Sequence, residues 1–107
     1  MPDNNKRYTV NVTETAKEML LSHVNFFANV SVSASNQMIE AFIKAATNLA
    51  QMPERNPWLQ HNDIPFQKYR KLLFYKHCMA LYEIRDGIVY ITAVVDCRQD
   101  YGWMVSK

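Results

Sequence analysis

Side chains able to move a proton or hold an anion gather in the second half of this 107-residue chain. Lys68, Arg70, Lys71, Lys76 and His77 follow one another closely, and Glu83, Arg98 and Tyr101 come after them. Proton transfer beside a phosphate needs an acceptor, a donor and cations around crowded oxygens, and these residue types can supply each role. The acids Glu14, Glu18, Glu40 and Glu54 fall earlier, so the basic character is local. A formal net charge of +2 is too small by itself to argue for nucleic-acid binding, which usually relies on a clustered basic surface. Geometry narrows the set further. In an extended segment Arg70 and Lys71 point to opposite faces, so only one of them can join a given site.

Other chemistries find less support. His61-Asn62-Asp63 brings two metal-ligand types close together, but a lone His-x-Asp in a loop falls short of a metal site, so neither a metal nor a cofactor is expected. Cys78 and Cys97 form no Cys-x-x-Cys pair and are read as free thiols in a reducing compartment. Residues 1–7 lack the apolar core of a secretion signal, and no later window approaches the length of a membrane span. A cytoplasmic protein with no membrane partner is the expectation.

Length allows one domain with a single core. Residues 1–6 read as a polar arm and 102–107 as a C-terminal tail. Arg7 to Val12 alternates in the manner of a strand with one buried face. Thr15 and Glu18 make a capping-box pattern, and Ala16, Met19, Leu20, His23, Val24 and Phe27 place an apolar stripe on a helix ending near Asn29. His23 within that stripe is read as a partly buried histidine with a local hydrogen bond. Val30 to Val32 interrupts the pattern. Ser33 or Ser35 can then cap a second helix carrying Met38, Ile39, Phe42, Ile43, Ala46 and Leu49, which Pro53 stops.

Prolines and asparagines from Pro53 to Phe66 oppose both helix and central strand, so a long loop is expected there, with Trp58 as the anchor pinning it to the body. Three strands follow, Lys68 to Phe74, Cys78 to Ile84 and Ile88 to Val95. Asp86-Gly87 joins the last two, a pair whose residues both tolerate positive φ. The whole is an α+β fold of order β-α-α-β-β-β, a helical hairpin packed on one face of a small, mostly antiparallel twisted sheet.

That order, and the motifs that punctuate it, resembles the RelE/ParE superfamily from Tyr8 to about Tyr101. The residues carrying the likeness are Tyr8-Thr-Val-Asn-Val-Thr-Glu-Thr-Ala16, Leu49-Ala-Gln-Met-Pro53 and Tyr69-Arg-Lys-Leu72. More specific are Leu81-Tyr-Glu-Ile-Arg-Asp-Gly-Ile-Val-Tyr-Ile91 and Val94-Val-Asp-Cys-Arg-Gln-Asp-Tyr101. These last two look like the family's penultimate hairpin and its arginine-bearing C-terminal segment.

The resemblance implies the toxin of a bacterial type II toxin–antitoxin (plasmid stabilisation-like) system, inhibiting growth and neutralised by a cognate antitoxin whose flexible segment wraps the toxin's surface. Two activities occur on this fold. RelE-like members cut messenger RNA in the ribosomal decoding site, whereas ParE-like members inhibit DNA gyrase without a known catalytic step, and a shared fold does not choose between them. For cleavage by the RNA's own 2′-hydroxyl, the catalytic candidates are Arg98, Arg70 and Tyr101. Arg70 or Lys71, Lys76 and Arg98 are expected to lend positive potential to the sheet face left open by the helices.

Arg98 suits paired hydrogen bonds to phosphate or carboxylate, or an ion pair with Asp96 or Asp100. Tyr101 reads equally as a substrate contact or a cap on the sheet. The tail from Gly102 to Val105 is expected to pack on its own sheet. RNA-cutting relatives usually carry an arginine in the strand motif ending in tyrosine, and here Cys78-Met-Ala-Leu-Tyr82 puts Met79 at that position. A thioether neither neutralises phosphate nor donates a strong hydrogen bond. The expectation therefore leans to a ParE-like binder of gyrase. The alternatives are a ribosome-dependent mRNA endoribonuclease and an inactive relic that only binds a partner. Expected partners are an antitoxin, with gyrase or the mRNA-bearing ribosome as target, and homodimerisation is left open.

Overall fold

Two hydroxyl side chains set the helical hairpin. In the computed structural model, which describes residues 7–99 and 101–102, Thr13 has an extended backbone and its Oγ1 accepts from the Ala16 N–H at 3.2 Å. A hydroxyl so placed satisfies one of the N–H groups that a helix start leaves open. Helix α1 (Glu14–Val30) thus begins ahead of the Thr15–Glu18 pattern, because Thr13 is also held by its own N–H donating to the Ile91 carbonyl at 3.0 Å.

Ser31 performs two jobs. Its N–H closes α1 on the Phe27 carbonyl at 2.8 Å, and its Oγ accepts from the Ala34 N–H at 3.2 Å to open α2 (Val32–Asn48). A single extended residue therefore separates the helices. Val30 and Val32, read as a β-branched break, are instead the last and first helical residues. Ser33 and Ser35 are not caps but lie inside α2, Ser35 buried.

Helix α2 ends at Asn48 with Leu49 as its cap, ahead of Pro53, which opens a short 3-10 turn (Pro53–Arg55) rather than stopping a helix. Ile39 and Ile43, assigned to the core stripe, are 37% and 58% exposed. The reason is that α2 packs mainly on α1 and only lightly on the sheet, so its buried stripe narrows to Ser35, Met38 and Phe42.

The sheet comprises β1 (Thr9–Val12), β2 (Arg70–Tyr75), β3 (Cys78–Arg85) and β4 (Ile88–Asp96), in spatial order β1-β4-β3-β2. β1 runs parallel to β4, and the other pairs are antiparallel. This is the expected α+β arrangement. At the β3–β4 turn Asp86 and Gly87 both have positive φ (53° and 79°), the mirror-image turn that follows the strand twist.

Leu81 pairs with Ala93 and Tyr82 with Ile91, leaving Thr92 unmatched in a bulge. The extra residue resets the alternation, so Ile91 and Val94 share one face while Ala93 and Val95 take the other. On the helix side, Ala80, Tyr82, Val89, Ile91 and Val94 pack with Ala16, Phe42 and Leu49. A second cluster, containing Met79, Leu81, Ala93 and Val95, forms on the reverse side. No helix of the described residues is long and apolar enough to cross a membrane.

Candidate functional site

The reverse face of the sheet was expected to stand open, and it is roofed. The chain from Pro57 to Tyr69 folds back along the β2 edge. Leu59 N–H donates to the Tyr69 carbonyl at 2.7 Å and Lys71 N–H to the Pro57 carbonyl at 3.0 Å. Leu59, Ile64, Tyr69 and Tyr101 then cover Met79, Leu81, Ala93 and Val95, and all eight are buried. The His61 ring lies 4.9 Å from that of Tyr101. At Gly102 a Cβ would fall 2.5 Å from His61 Cε1 and 2.9 Å from the Asp63 side chain, so the chain passes the loop where only glycine fits.

Arg70 belongs to the other side. It pairs with Tyr82, so both side chains leave the sheet on the helix face, while Lys71, opposite Leu81, leaves on the reverse face. Arg70 Nη1 donates to the carbonyls of Glu54 and Asn56 at 2.9 and 2.7 Å, and its guanidinium lies 3.9 Å from the centre of the Trp58 ring. Beside it the buried Tyr82 hydroxyl donates to the Pro53 carbonyl at 2.7 Å and accepts from Asn56 Nδ2 at 2.9 Å. Tyr8 Oη, just ahead of β1, donates to Glu54 Oε2. Together these contacts clamp residues 53–58, and Trp58 is a loop anchor.

Arg98 follows β4 at the other end of the sheet. Its Nε and Nη2 donate to the two oxygens of Asp96 at 3.2 and 2.9 Å, and its own N–H donates to Asp96 Oδ1 at 2.9 Å. The guanidinium pair holds the Asp96 carboxyl down at about 2. A carboxylate with a folded value below the ordinary 3.8 contributes stability that is complete above that value and lost as pH falls toward 2. Because the arginine is largely exposed, the contribution should be under about 1 kcal/mol. A carbon-detected NMR titration should find Asp96 ionised well below pH 3, and Arg98→Ala should return it to the ordinary range. A midpoint that stays put in that variant would rule the pair out.

The three catalytic candidates therefore occupy three places. Arg70 stands opposite Tyr82 and Arg98 lies beyond Asp96, which pairs with Cys78. Tyr82 and Cys78 are four residues apart on β3, roughly 13 Å. Tyr101 sits in the roof of the reverse face, where burial pushes its hydroxyl pKa up. His23 is half-buried as read from the sequence, but its contact is long-range rather than local, with Nε2 3.2 Å from the Val94 carbonyl of β4. Burial raises the Cys78 thiol to about 11, and Cys97 is exposed; both are free. Among the described residues no three His, Cys, Asp or Glu side chains gather as metal ligands.

What the periodicity passed over is a groove at the Arg98 end, walled by Phe26, Phe27 and Val30 and rimmed by Lys76, His77 and Arg98. Phe26 and Val30 fall outside the buried stripe of α1, and that displacement was their only sequence signal.

No curated protein matches the chain. Among solved structures, the chromosomal ParDE toxin–antitoxin system from P. aeruginosa superposes with a TM-score of 0.68 at 10% identity, covering 86% of this chain and 98% of that one. At such identity the likeness concerns the fold. The family model of the ParE toxin of type II toxin–antitoxin systems matches residues 10–101, nearly the whole sheet-and-hairpin body just described. On that match, the chain belongs to the ParE toxin family.

Proposed function

We propose that the chain arrests growth by binding DNA gyrase rather than by cutting RNA, and that a cognate antitoxin neutralises it. The observation that carries this reading is Met79. It occupies the position where RNA-cutting relatives carry arginine, and it is 5% exposed beneath an apolar roof. No phosphate reaches a thioether buried there. Arg70 is engaged with backbone carbonyls, and the Tyr101 hydroxyl is raised by burial, which suits neither to proton transfer at neutral pH. Arg98, with its side chain 63% exposed, is the candidate for contact with the target.

Purified protein added to a gyrase supercoiling reaction is expected to block it, and messages in a translating extract are expected to stay whole. Arg98→Ala should weaken inhibition while the fold persists. Cut messages with active gyrase would replace this reading with the nuclease, and neither effect would leave a protein that only binds its partner.

A further inference from the structure

The loop that roofs the reverse face carries a recess of about 710 Å³, whose aromatic and polar walls are Trp58, Gln60, His61, Asn62, Phe66 and Gln67. Its size is that of a small-molecule site, roughly 300–1,000 Å³. Phe66 is 86% exposed although its loop is held in place. Leu59 N–H closes the loop on the Tyr69 carbonyl at 2.7 Å, and inside it the N–H of buried Ile64 donates to the His61 carbonyl at 3.1 Å. Gln67, next to Phe66, has φ 52°, a left-handed backbone that costs a non-glycine residue local strain.

The polar walls can both give and take hydrogen bonds. Gln60, Asn62 and Gln67 are exposed carboxamides, each with donors and an acceptor. His61 Nδ1 accepts from the Asp63 N–H at 3.1 Å, which leaves Nε2 as the donor of the neutral ring. Trp58 and Gln67 also line a smaller neighbouring recess of about 260 Å³, to which Lys68 and Arg70 belong. Arg70 occupies one face of the indole at 3.9 Å without lining the larger recess. Glu54 and Glu83 border the smaller recess too, but Tyr8 donates to the first and Arg85 stands 3.6 Å from the second. Lys68 is the exposed cation beside Gln67, its ammonium 5.5 Å from the centre of the Tyr69 ring.

A flat heterocycle with donors and acceptors along its edge fits these walls, since aromatic rings offer it a stacking surface and carboxamides match a mixed edge. A proline-rich strand also uses aromatic grooves, but prolines present carbonyls and no N–H, so half of each carboxamide would go unused. The lysine next door supplies the cation that a phosphate needs. We propose that the recess binds a nucleobase, stacked on Phe66 and Trp58 with its edge toward Gln60, Asn62 and Gln67 and its phosphate toward Lys68. Stacking rather than a basic track carries the affinity, in keeping with a net charge of +2. A free nucleotide and an unpaired base of a single strand share this chemistry. The proposal goes beyond the gyrase and antitoxin readings, and its test contains neither partner, so each can fail while the other stands.

In the full chain, nitrogen-labelled NMR spectra follow the side-chain amides of Gln60, Asn62 and Gln67 and the Trp58 indole. Fluorescence anisotropy follows a labelled, mixed-sequence single-stranded DNA of about ten nucleotides. The strand and a nucleoside monophosphate should both shift those signals, and whichever binds more tightly names the source of the base. The matching duplex, whose bases are stacked on one another, should bind about tenfold more weakly than the strand. Phe66→Ala, at an exposed position, should weaken the strand about tenfold at an unchanged melting temperature. Gln67→Gly removes one carboxamide and relaxes the backbone, so binding should fall about threefold while the melting temperature holds or rises. The proposal is overturned if neither ligand shifts these signals, if duplex and strand bind alike, or if both variants bind as the parent does. A proline-rich peptide that shifts the same signals at lower concentration than either ligand would overturn it in favour of a peptide site.

Discussion

Met79→Arg is expected to lower stability by about 3–5 kcal/mol and to leave messenger RNA uncut. The substitution restores the residue that RNA-cutting relatives carry, but in this chain the position lies among Leu59, Ile64, Tyr69, Leu81 and Val95. The cluster is apolar, so a guanidinium there would be desolvated, and the overlong side chain would push the roof off the sheet. Such a loss is a large fraction of what a domain of this size possesses. Urea denaturation of the parent and the variant measures it directly. A change below about 1 kcal/mol would mean that the loop lifts at little cost and lets the arginine reach water. Message cleavage appearing in the same variant would revive the nuclease and defeat the assignment to gyrase.

Arg70→Met is the second large effect, expected to cost about 2–3 kcal/mol. Methionine keeps much of the packing volume and removes two charge-assisted hydrogen bonds to the carbonyls of Glu54 and Asn56, together with the stack on Trp58. The damage should be local before it is global. Lys71 N–H and Leu59 N–H, which tie the roof to the β2 edge, should lose hydrogen-exchange protection ahead of the β3–β4 core. Arg70→Lys should recover little, since a point charge on a flexible stem does not reproduce the planar fork that reaches both carbonyls. If Arg70 served catalysis instead, the methionine variant would lose activity with its exchange pattern intact, and that outcome would overturn the clamp.

Where sequence reasoning succeeded, it relied on local chemistry. The alternation of β1, the stripes of α1 and α2 and the Asp86-Gly87 turn are each dictated within a few residues, and they were enough for the order of elements and for the family. Helix starts were harder, because several hydroxyls compete for each cap. Thr13 prevails over Thr15, held by its tie to Ile91, and Ser31 serves both helices at once. Thr92 illustrates another limit. The run from Ile88 to Val95 is nearly all apolar, so nothing in it marks the bulge that sends Val94 to one face and Val95 to the other.

The candidate site was less legible still. Residue types and spacing singled out Arg70, Arg98 and Tyr101, but spacing along a strand carries no information about which loop returns to cover it. Hydrophobic periodicity and turn chemistry are short-range, and they determined the α+β class, the hairpins and the basic character of the second half. The tertiary structure alone decided that residues 57–69 roof the reverse face, that Arg70 clamps the loop at Glu54, Asn56 and Trp58, and that α1 keeps Phe26 and Val30 uncovered beside Lys76 and Arg98. Those outcomes depend on contacts between segments tens of residues apart, where burial of one apolar surface is settled by whichever distant surface is there to meet it.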